Sequence, residues 1–238
     1  DVENYSNLDE LVNSFKEQDS EIEINADFEK EIKTSLVKIN GLTVGVVGVG
    51  RENEVKLDGA KLDKITKMVK LCNSFNMPIL TLVNSDGFVK SIEEEKNGLS
   101  FKAAKLSAVI ASATVPKVSL IVGKSYGAVF TMLSDRKASF DVVYALKTSK
   151  IALTDVKTQV SVLYKEDIKN ASNKEEKINE LVKLNEEALS SSIKAAEKGY
   201  IDDVLENEDI AIKIIASFEM LKTKREIGYS KKHGSILV

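Results

Sequence analysis

The chain has few of the side chains on which much enzyme chemistry depends. Its 238 residues include one cysteine, one histidine, two prolines and no tryptophan. The single cysteine, Cys72, excludes an internal disulfide, and its position among apolar residues at helical spacing is typical of a buried core residue. The single histidine, His233, lies near the end of the chain, where a surface or subunit-contact role is favoured over general-base catalysis.

Charge and hydropathy argue against further classes of protein. The 34 basic residues are spread among 37 acidic ones, which gives a net charge of −3 and a pI near 5.5 and no basic face for nucleic acid. No apolar run reaches the ~20 residues that a membrane helix needs. The glycine-rich phosphate-binding motifs and metal-ligand spacings are absent, so neither a nucleotide loop nor a metal site is predicted. A cytoplasmic location is expected.

The distribution of apolar residues predicts an α/β fold. Helices and strands alternate along the chain, which favours parallel strands with helices outside, in one domain over 1–238. The Asn40-Gly41 pair between two β-rich runs predicts a hairpin. Predicted helices cover 6–17 (with Ser6 as N-cap), 56–75, 99–113, 129 onward and 209–225, and a charged helical arm covers 164–198. Predicted strands cover 21–26, 35–39, 42–49, 79–83, 117–122, 140–145 and 150–153, with a loop over 84–90.

The segment 113–133, ATVPKVSLIVGKSYGAVFTML, carries the strongest functional prediction. An apolar strand leads into a helix through a turn of small residues around Gly127, which we call the elbow. Such a turn leaves backbone N–H groups free at the start of the helix, where they suit an oxyanion. The pattern alone also fits a tight strand–helix turn with no chemistry. Ser125 is disfavoured as a nucleophile because G-x-S-x-G and a histidine partner are missing.

Four segments, in order along the chain, resemble one protein family. They are LDGAKLDKITKMVKLCNSFNMPILTLVNSDGF (57–88), ATVPKVSLIVGKSYGAVFTM (113–132), EKGYIDDVL (197–205) and KKHGSILV (231–238). Together they are similar to the C-terminal, biotin-side half of the biotin-dependent acyl-CoA carboxyltransferases. That family includes the acetyl- and propionyl-CoA carboxylase beta chains and the methylmalonyl- and glutaconyl-CoA decarboxylase alpha chains. The resemblance covers nearly the whole chain.

The resemblance implies a fold, an activity and partners. The implied fold is a crotonase/ClpP-like spiral of ββα units with outer helices. The implied activity is transfer of CO2 between carboxybiotin and an acyl-CoA, with biotin as the cofactor and no activity without the acyl-CoA-binding half. The implied partners are a biotin carboxyl carrier protein, that N-terminal half (in the same longer chain or in a separate subunit) and further copies in a homo-oligomer. No nucleic acid and no membrane span are expected.

Site residues are also implied by the resemblance. The backbone N–H groups of Ala128 and Val129, together with Gly127, match the family's oxyanion donors. The positions that match residues around the biotin pocket are Gly87, Phe88, Gly98, Tyr126 and Thr131.

Departures from the family pattern leave other hypotheses open. Asp86 replaces a proline, Ala128 and Val129 replace a glycine and an alanine, and residues 154–159 replace a glycine-containing turn. Because Val129 is bulkier than the family residue and the glycine-containing turn is lost, the biotin pocket is expected to be narrowed or reshaped. The alternative is a non-catalytic half that completes an oligomer and has a degraded pocket. A third hypothesis is an independent crotonase-type enzyme that binds CoA esters by itself.

Overall fold

The structure, a computed structural model, describes residues 7–226. The predictions for Ser6 as a helix cap and for His233 lie outside the described residues. The strands are β1 (Ile22–Glu23), β2 (Ile32–Ile39), β3 (Leu42–Val49), β4 (Val55–Leu57), β5 (Ile79–Phe88), β6 (Lys117–Tyr126), β7 (Val142–Leu146), β8 (Lys150–Ala152) and β9 (Asp203–Leu205). The helices are α1 (Leu8–Phe15), α2 (Gly59–Ser74), α3 (Ile92–Lys96), α4 (Leu99–Ser112), α5 (Ala128–Leu133), α6 (Val156–Leu163), α7 (Lys165–Asn170), α8 (Lys174–Ser190), α9 (Ser192–Glu197) and α10 (Ile210–Leu221).

The main sheet has the strand order β1-β2-β3-β5-β6-β7-β9. The β1–β2 and β2–β3 pairs are antiparallel, and every pair from β3 to β9 in this order is parallel. The predicted hairpin between β2 and β3 is confirmed. Asn40 and Gly41 both have positive φ, of 48° and 76°, as the two central residues of a type I′ hairpin turn require.

A second, smaller sheet forms where β5 and β6 continue beyond the main sheet. The two strands pair regularly as far as Val83 and Ile121, and they pair again at Ser85 and Ser125. One residue of β5 therefore lies opposite three residues of β6, and this irregularity bends the pair. Beyond the bend, β4 pairs with β5 and β8 pairs with β6, which gives the order β4-β5-β6-β8.

Asn84 holds this bend together. Its side-chain Oδ1 accepts a hydrogen bond from the backbone N–H of Lys124 at 3.0 Å. A Cβ added to Gly123 would lie 2.2 Å from that same oxygen, and a Cβ added to Gly50, whose φ is +81°, would lie 2.3 Å from the Asn84 carbonyl oxygen. A side chain at Gly50 would force the backbone apart, and one at Gly123 would displace the Asn84 side chain.

Helices cover both faces of the main sheet because alternate strand residues point to opposite sides. On one face Leu80 and Leu82 of β5 join a core with α1 and α10. On the other, Ile79 and Val83 join a core with α2, α4 and α5. Cys72 is fully buried in this second core, as predicted, and burial raises the pKa of its thiol to about 12. None of the described helices is long and apolar enough to cross a membrane.

The charged arm predicted over 164–198 consists of three helices, α7 to α9, rather than one. Helices α6 and α8 share a small core of their own, made by Val156, Val160 and Leu181. An ion pair between Lys150 of β8 and Glu186 of α8 joins the arm to the small sheet.

Several predicted boundaries are wrong, mostly around the small sheet. The predicted loop over 84–90 is strand as far as Phe88, and β6 extends to Tyr126. The helix predicted from residue 56 begins at Gly59, because the three residues before its N-cap, Asp58, form β4. These residues are drawn into strands by partners distant in sequence, which local patterns do not reveal. Helix α1 is capped by Asn7, whose Oδ1 accepts from the Glu10 N–H at 2.9 Å.

A cluster of ion pairs joins α1 to the antiparallel edge of the sheet. The Lys33 side chain is 3% exposed, and its Nζ lies 2.6 Å from Asp9 Oδ1 and also pairs with Glu21. Arg51 Nε lies 2.7 Å from Asp9 Oδ2, and its guanidinium also bonds Glu23. Burial raises the pKa of Asp9, but the hydrogen bonds and charges of Arg51 and Lys33 outweigh it, so the pKa lies below its ordinary value.

We expect Asp9→Asn to lower the free energy of unfolding by about 1–3 kcal/mol at pH 7, because the substitution leaves the buried Lys33 short of a charged partner. Because the pKa of Asp9 is depressed in the folded state, its ionised form stabilises the fold at pH values above the unfolded-state pKa of about 4. This stabilisation is lost as the pH falls through the folded-state pKa. The difference between wild type and variant should therefore shrink on acidification and vanish once Asp9 is protonated. Urea unfolding measured between pH 7 and 2.5 tests this.

The control is Asp27→Asn, which removes a fully exposed carboxylate 3.7 Å from Lys30 and should change stability little at either pH. An Asp9→Asn penalty of equal size at both ends of the pH range would show that charge is not its cause.

We also expect Gly123→Ala to destabilise the protein by about 1–3 kcal/mol, because its methyl group overlaps the Asn84 side chain. Asn84→Ala removes that oxygen, and in the double variant the methyl group no longer meets it. The two substitutions should therefore cost less together than the sum of their separate costs, as measured by a double-mutant cycle of urea unfolding. Strict additivity would contradict the proposed contact.

Candidate functional site

A cleft of about 890 Å³ opens at the end of the small sheet, where β5, β6 and the segment after β8 meet. Five of the predicted site residues line it, namely Gly87, Phe88, Tyr126, Gly127 and Ala128. The first two lie at the end of β5, and the other three form the elbow between β6 and α5. Residues 40 positions apart in sequence thus share one site because β5 and β6 are neighbours in the sheet.

The elbow has a conformation that only glycine adopts readily. Gly127 has φ +55° and ψ −124°, and its N–H donates to the carbonyl oxygen of Ala152 at 2.9 Å. A Cβ at this position would lie 2.9 Å from the Leu153 carbonyl oxygen. The elbow therefore packs directly on the backbone at the end of β8 and just after it.

Among the residues that the structure describes, the first backbone donors of helix α5 have no partner. Its first backbone hydrogen bond runs from the Thr131 N–H to the Gly127 carbonyl oxygen at 3.3 Å. The N–H groups of Ala128 and Val129 precede that bond, and within residues 7–226 no side chain caps them. Ala128 is exposed and lines the cleft, so this start of the helix is open to an oxygen-bearing ligand.

Three predicted site residues do not line the cleft. The Val129 side chain is fully buried in the core beside α5, so the expectation that its bulk narrows the pocket is wrong. Thr131 is exposed one turn into α5, and its hydroxyl donates to the Gly127 carbonyl oxygen at 3.4 Å. Gly98 is the N-cap of α4, with φ +83°.

Tyr126 and Ser125 are adjacent in β6 but differ in their surroundings. Tyr126 lines the cleft, and burial, reinforced by the charges of Asp86 and Asp155, raises the pKa of its phenol to about 12. Ser125 is fully buried, and its hydroxyl has no partner within the described part of the chain. A side chain closed off from the cleft is not placed to attack a ligand there, which agrees with the sequence argument against a serine nucleophile.

The cleft also contains charged residues that the sequence analysis did not single out as ligand contacts. Three lysines and three carboxylates line it: Lys56, Lys90, Lys96, Asp86, Glu95 and Asp155. Lys56 Nζ lies 3.8 Å from Asp86 Oδ2. Glu95 and Lys96 belong to α3, a short helix that was not predicted although Ser91 and Glu94 have capping-box spacing.

Asp155 forms part of the cleft wall and also begins α6. It accepts hydrogen bonds from the Thr158 N–H at 2.9 Å and from the Thr158 hydroxyl at 2.6 Å. Burial raises the pKa of Asp155, but these hydrogen bonds outweigh burial, and the pKa lies below its ordinary value. The segment 154–159, in which the glycine-containing turn is replaced, therefore supplies a helix cap at the cleft.

A family model described as "Carboxyl transferase domain" matches residues 3–236 of the chain. The chain belongs to the carboxyl transferase domain family. It is 32% identical over 230 residues to the propionyl-CoA carboxylase carboxyltransferase subunit of Haloferax mediterranei. It is 30% identical over 233 residues to the methylmalonyl-CoA decarboxylase subunit alpha of Propionigenium modestum. These alignments cover 96% and 97% of this chain but only 45% of each relative. The chain therefore spans less than half the length of these relatives.

The fold of this chain agrees with that of a solved relative. A crystal structure of the transcarboxylase 12S hexamer, with methylmalonyl-CoA and methylmalonic acid bound, superposes with a TM-score of 0.90 at 28% identity. The match covers 99% of this chain and 46% of that one. The crotonase-like α/β fold expected from the resemblance is confirmed.

We expect Val129→Ala to lower the free energy of unfolding by about 1–3 kcal/mol, because it removes two methyl groups from a fully buried side chain in the core beside α5. Val162→Ala is the matched control, since that side chain is 71% exposed on α6 and should contribute little. Urea unfolding of the two variants is the measurement. Equal stability of both variants would place Val129 outside the core.

Proposed function

We propose that the cleft binds the biotin of a carrier protein and that the chain is the biotin-side half of a carboxyltransferase. In this role it moves CO2 between carboxybiotin and an acyl-CoA. The observation that supports the proposal best is the elbow, where the unpaired N–H group of exposed Ala128 begins a helix at the cleft and that of Val129 lies next to it in the chain. Membership of the carboxyl transferase domain family supports it independently.

The residues of the cleft fit the chemistry of a cyclic urea. A ureido group offers one oxygen that accepts hydrogen bonds and two N–H groups that donate them. The elbow supplies backbone donors, and Asp86 and Asp155 supply carboxylate acceptors in the same cleft. Phe88 adds an apolar ring, and about 890 Å³ is ample room for a bicyclic ring system and the end of an acyl thioester.

The chain's contribution to the reaction is electrostatic. Biotin, when bound, supplies the ring nitrogen that carries the carboxyl group. The N–H groups of Ala128 and Val129 hold the oxygen on which negative charge develops, and a donor of this kind is worth about 3–4 kcal/mol of transition-state stabilisation. Phe88 excludes water and strengthens these interactions. Such a mechanism needs no histidine or cysteine from this chain, which fits the composition of the sequence.

The partners follow from how much of the relatives the chain spans. Because it spans 45% of them, the acyl-CoA-binding half is assigned to another part of a longer protein or to a separate subunit. The names of the two relatives point to propionyl-CoA and methylmalonyl-CoA as the first substrates to test. A homo-oligomer is proposed by analogy with the hexamer named for the solved 12S relative, and a cytoplasmic location stays a prediction.

Asp86 favours the second hypothesis, a non-catalytic half that serves assembly. It places a carboxylate in the cleft where the family pattern has a proline. A pocket altered in this way would still support assembly of an oligomer. Direct measurement of biotin binding separates the two functions.

We expect the chain to bind biotin alone and to transfer a carboxyl group from methylmalonyl-CoA to biotin only when the acyl-CoA-binding half is added. Equilibrium binding of biotin and formation of propionyl-CoA are the two measurements. Oligomers that form without biotin binding would favour the assembly function instead. CoA-ester binding by this chain alone would favour an independent crotonase-type enzyme.

Gly127→Ala should weaken biotin binding at least tenfold, because a methyl group at the elbow meets the Leu153 carbonyl and moves the N–H groups of α5. Gly199→Ala is the matched control. Gly199 also has positive φ, +72°, but it has open space around it and lies outside the cleft lining. Equal loss of binding in both variants would show that backbone strain, not the elbow, is responsible.

A further inference from the structure

Tyr126 is the last residue of β6 and lies directly before the elbow. Its side chain is only 6% exposed, yet it lines the cleft. A tyrosine combines an apolar ring that packs well in the protein with a polar hydroxyl that usually finds a hydrogen-bond partner when it is buried. The neighbouring strand β8, through Ala152, pairs with Tyr126 in register and fixes its backbone.

The Tyr126 hydroxyl has no hydrogen-bond partner among residues 7–226. The other buried tyrosine in this part of the chain, Tyr144, shares a hydrogen bond of 2.9 Å with the Ser217 hydroxyl. The partly buried Tyr164 donates to Asn185 Oδ1 at 3.0 Å. Buried tyrosine hydroxyls usually find such a partner, so Tyr126 is the exception that needs an explanation.

The unpaired hydroxyl is not sealed in the core. Among residues 7–226, the closed-off hydroxyls without a hydrogen bond are those of Ser35 and Ser125, and the Tyr126 hydroxyl is not one of them. Its oxygen is therefore reachable from the cleft. Since burial and the charges of Asp86 and Asp155 raise the pKa of the phenol to about 12, it stays protonated and is a hydrogen-bond donor at neutral pH.

The charge of the cleft indicates which kind of hydrogen-bond acceptor the Tyr126 hydroxyl binds. The lining carries three lysines and three carboxylates, so its formal charges cancel. A cleft with no net charge suits an uncharged carbonyl group better than a strongly anionic one, because no excess positive charge compensates the loss of the anion's water shell.

We propose that Tyr126 donates a hydrogen bond to an uncharged carbonyl oxygen of the ligand in the cleft, beside the elbow N–H groups. This inference rests on the proposed function, under which the acceptor is the ureido oxygen of biotin. Tyr126 is thus a ligand-binding residue whose phenol completes, with the N–H groups of Ala128 and Val129, a set of donors around one oxygen.

The first test is biotin affinity in Tyr126→Phe, which removes one oxygen and keeps the ring that packs at the end of β6. We expect a loss of about tenfold, typical of one hydrogen bond. Tyr200→Phe is the control, since that side chain is 49% exposed and lies outside the cleft lining, and its affinity should equal that of the wild type.

The second test observes the hydroxyl in the wild-type chain itself, and Tyr126→Phe serves there only to assign a signal. The protein has six tyrosines, and labelling their ring Cζ atoms with ¹³C gives one NMR signal for each. The Tyr126 signal, assigned by its absence in Tyr126→Phe, should move on addition of biotin, while the Tyr144 and Tyr200 signals should not.

The outcomes separate this inference from the proposed function. If the wild type binds biotin but the Tyr126 signal stays fixed and Tyr126→Phe binds equally well, the role of Tyr126 is wrong and the biotin site stands. If the wild type does not bind biotin at all, both are overturned.

Discussion

The contact of Asn84 with two glycines is the constraint on which the site depends. Gly50 and Gly123 approach this one residue so closely that neither tolerates a Cβ, and the Asn84 side chain binds the backbone of the strand that bulges opposite it. The bulge turns β5 and β6 out of the main sheet, and their ends then pair with β4 and β8. Without that bend the strands would not form the small sheet that brings Phe88 and the elbow to one cleft.

The sequence was most informative where structure is local. The Asn40-Gly41 hairpin, the apolar strands of the parallel sheet and the buried Cys72 were all predicted from residues close together in the chain. The small sheet was missed because β4 and the end of β5 are stabilised by strands far away in sequence, and their own residues, such as Asp86 and Gly87, are typical of loops. Of the eight predicted site residues, those that line the cleft lie at the ends of two neighbouring strands, and the resemblance to a family pointed to them.

The site also shows why hydrogen bonding by backbone N–H groups tolerates changes of side chain at the same residues. Val129 replaces a smaller family residue, but α5 directs its side chain into the core and leaves its N–H group at the start of the helix. A substitution at such a position changes the packing of the core, whereas the backbone donor is the same for every residue except proline. The charged residues around the cleft were the part of the site least visible in the sequence.

The separate small core of the arm has a consequence for how the molecule moves. Helices α6 and α8 are held by Val156, Val160 and Leu181, a small cluster apart from the two main cores, so we expect this pair of helices to unfold locally at a lower free-energy cost than the main cores. Asp155 caps α6 and lines the cleft at the same time. We therefore expect a ligand that binds against Asp155 to stabilise the folded α6–α8 pair by mass action, and order in that pair in turn to strengthen ligand binding by the same free energy.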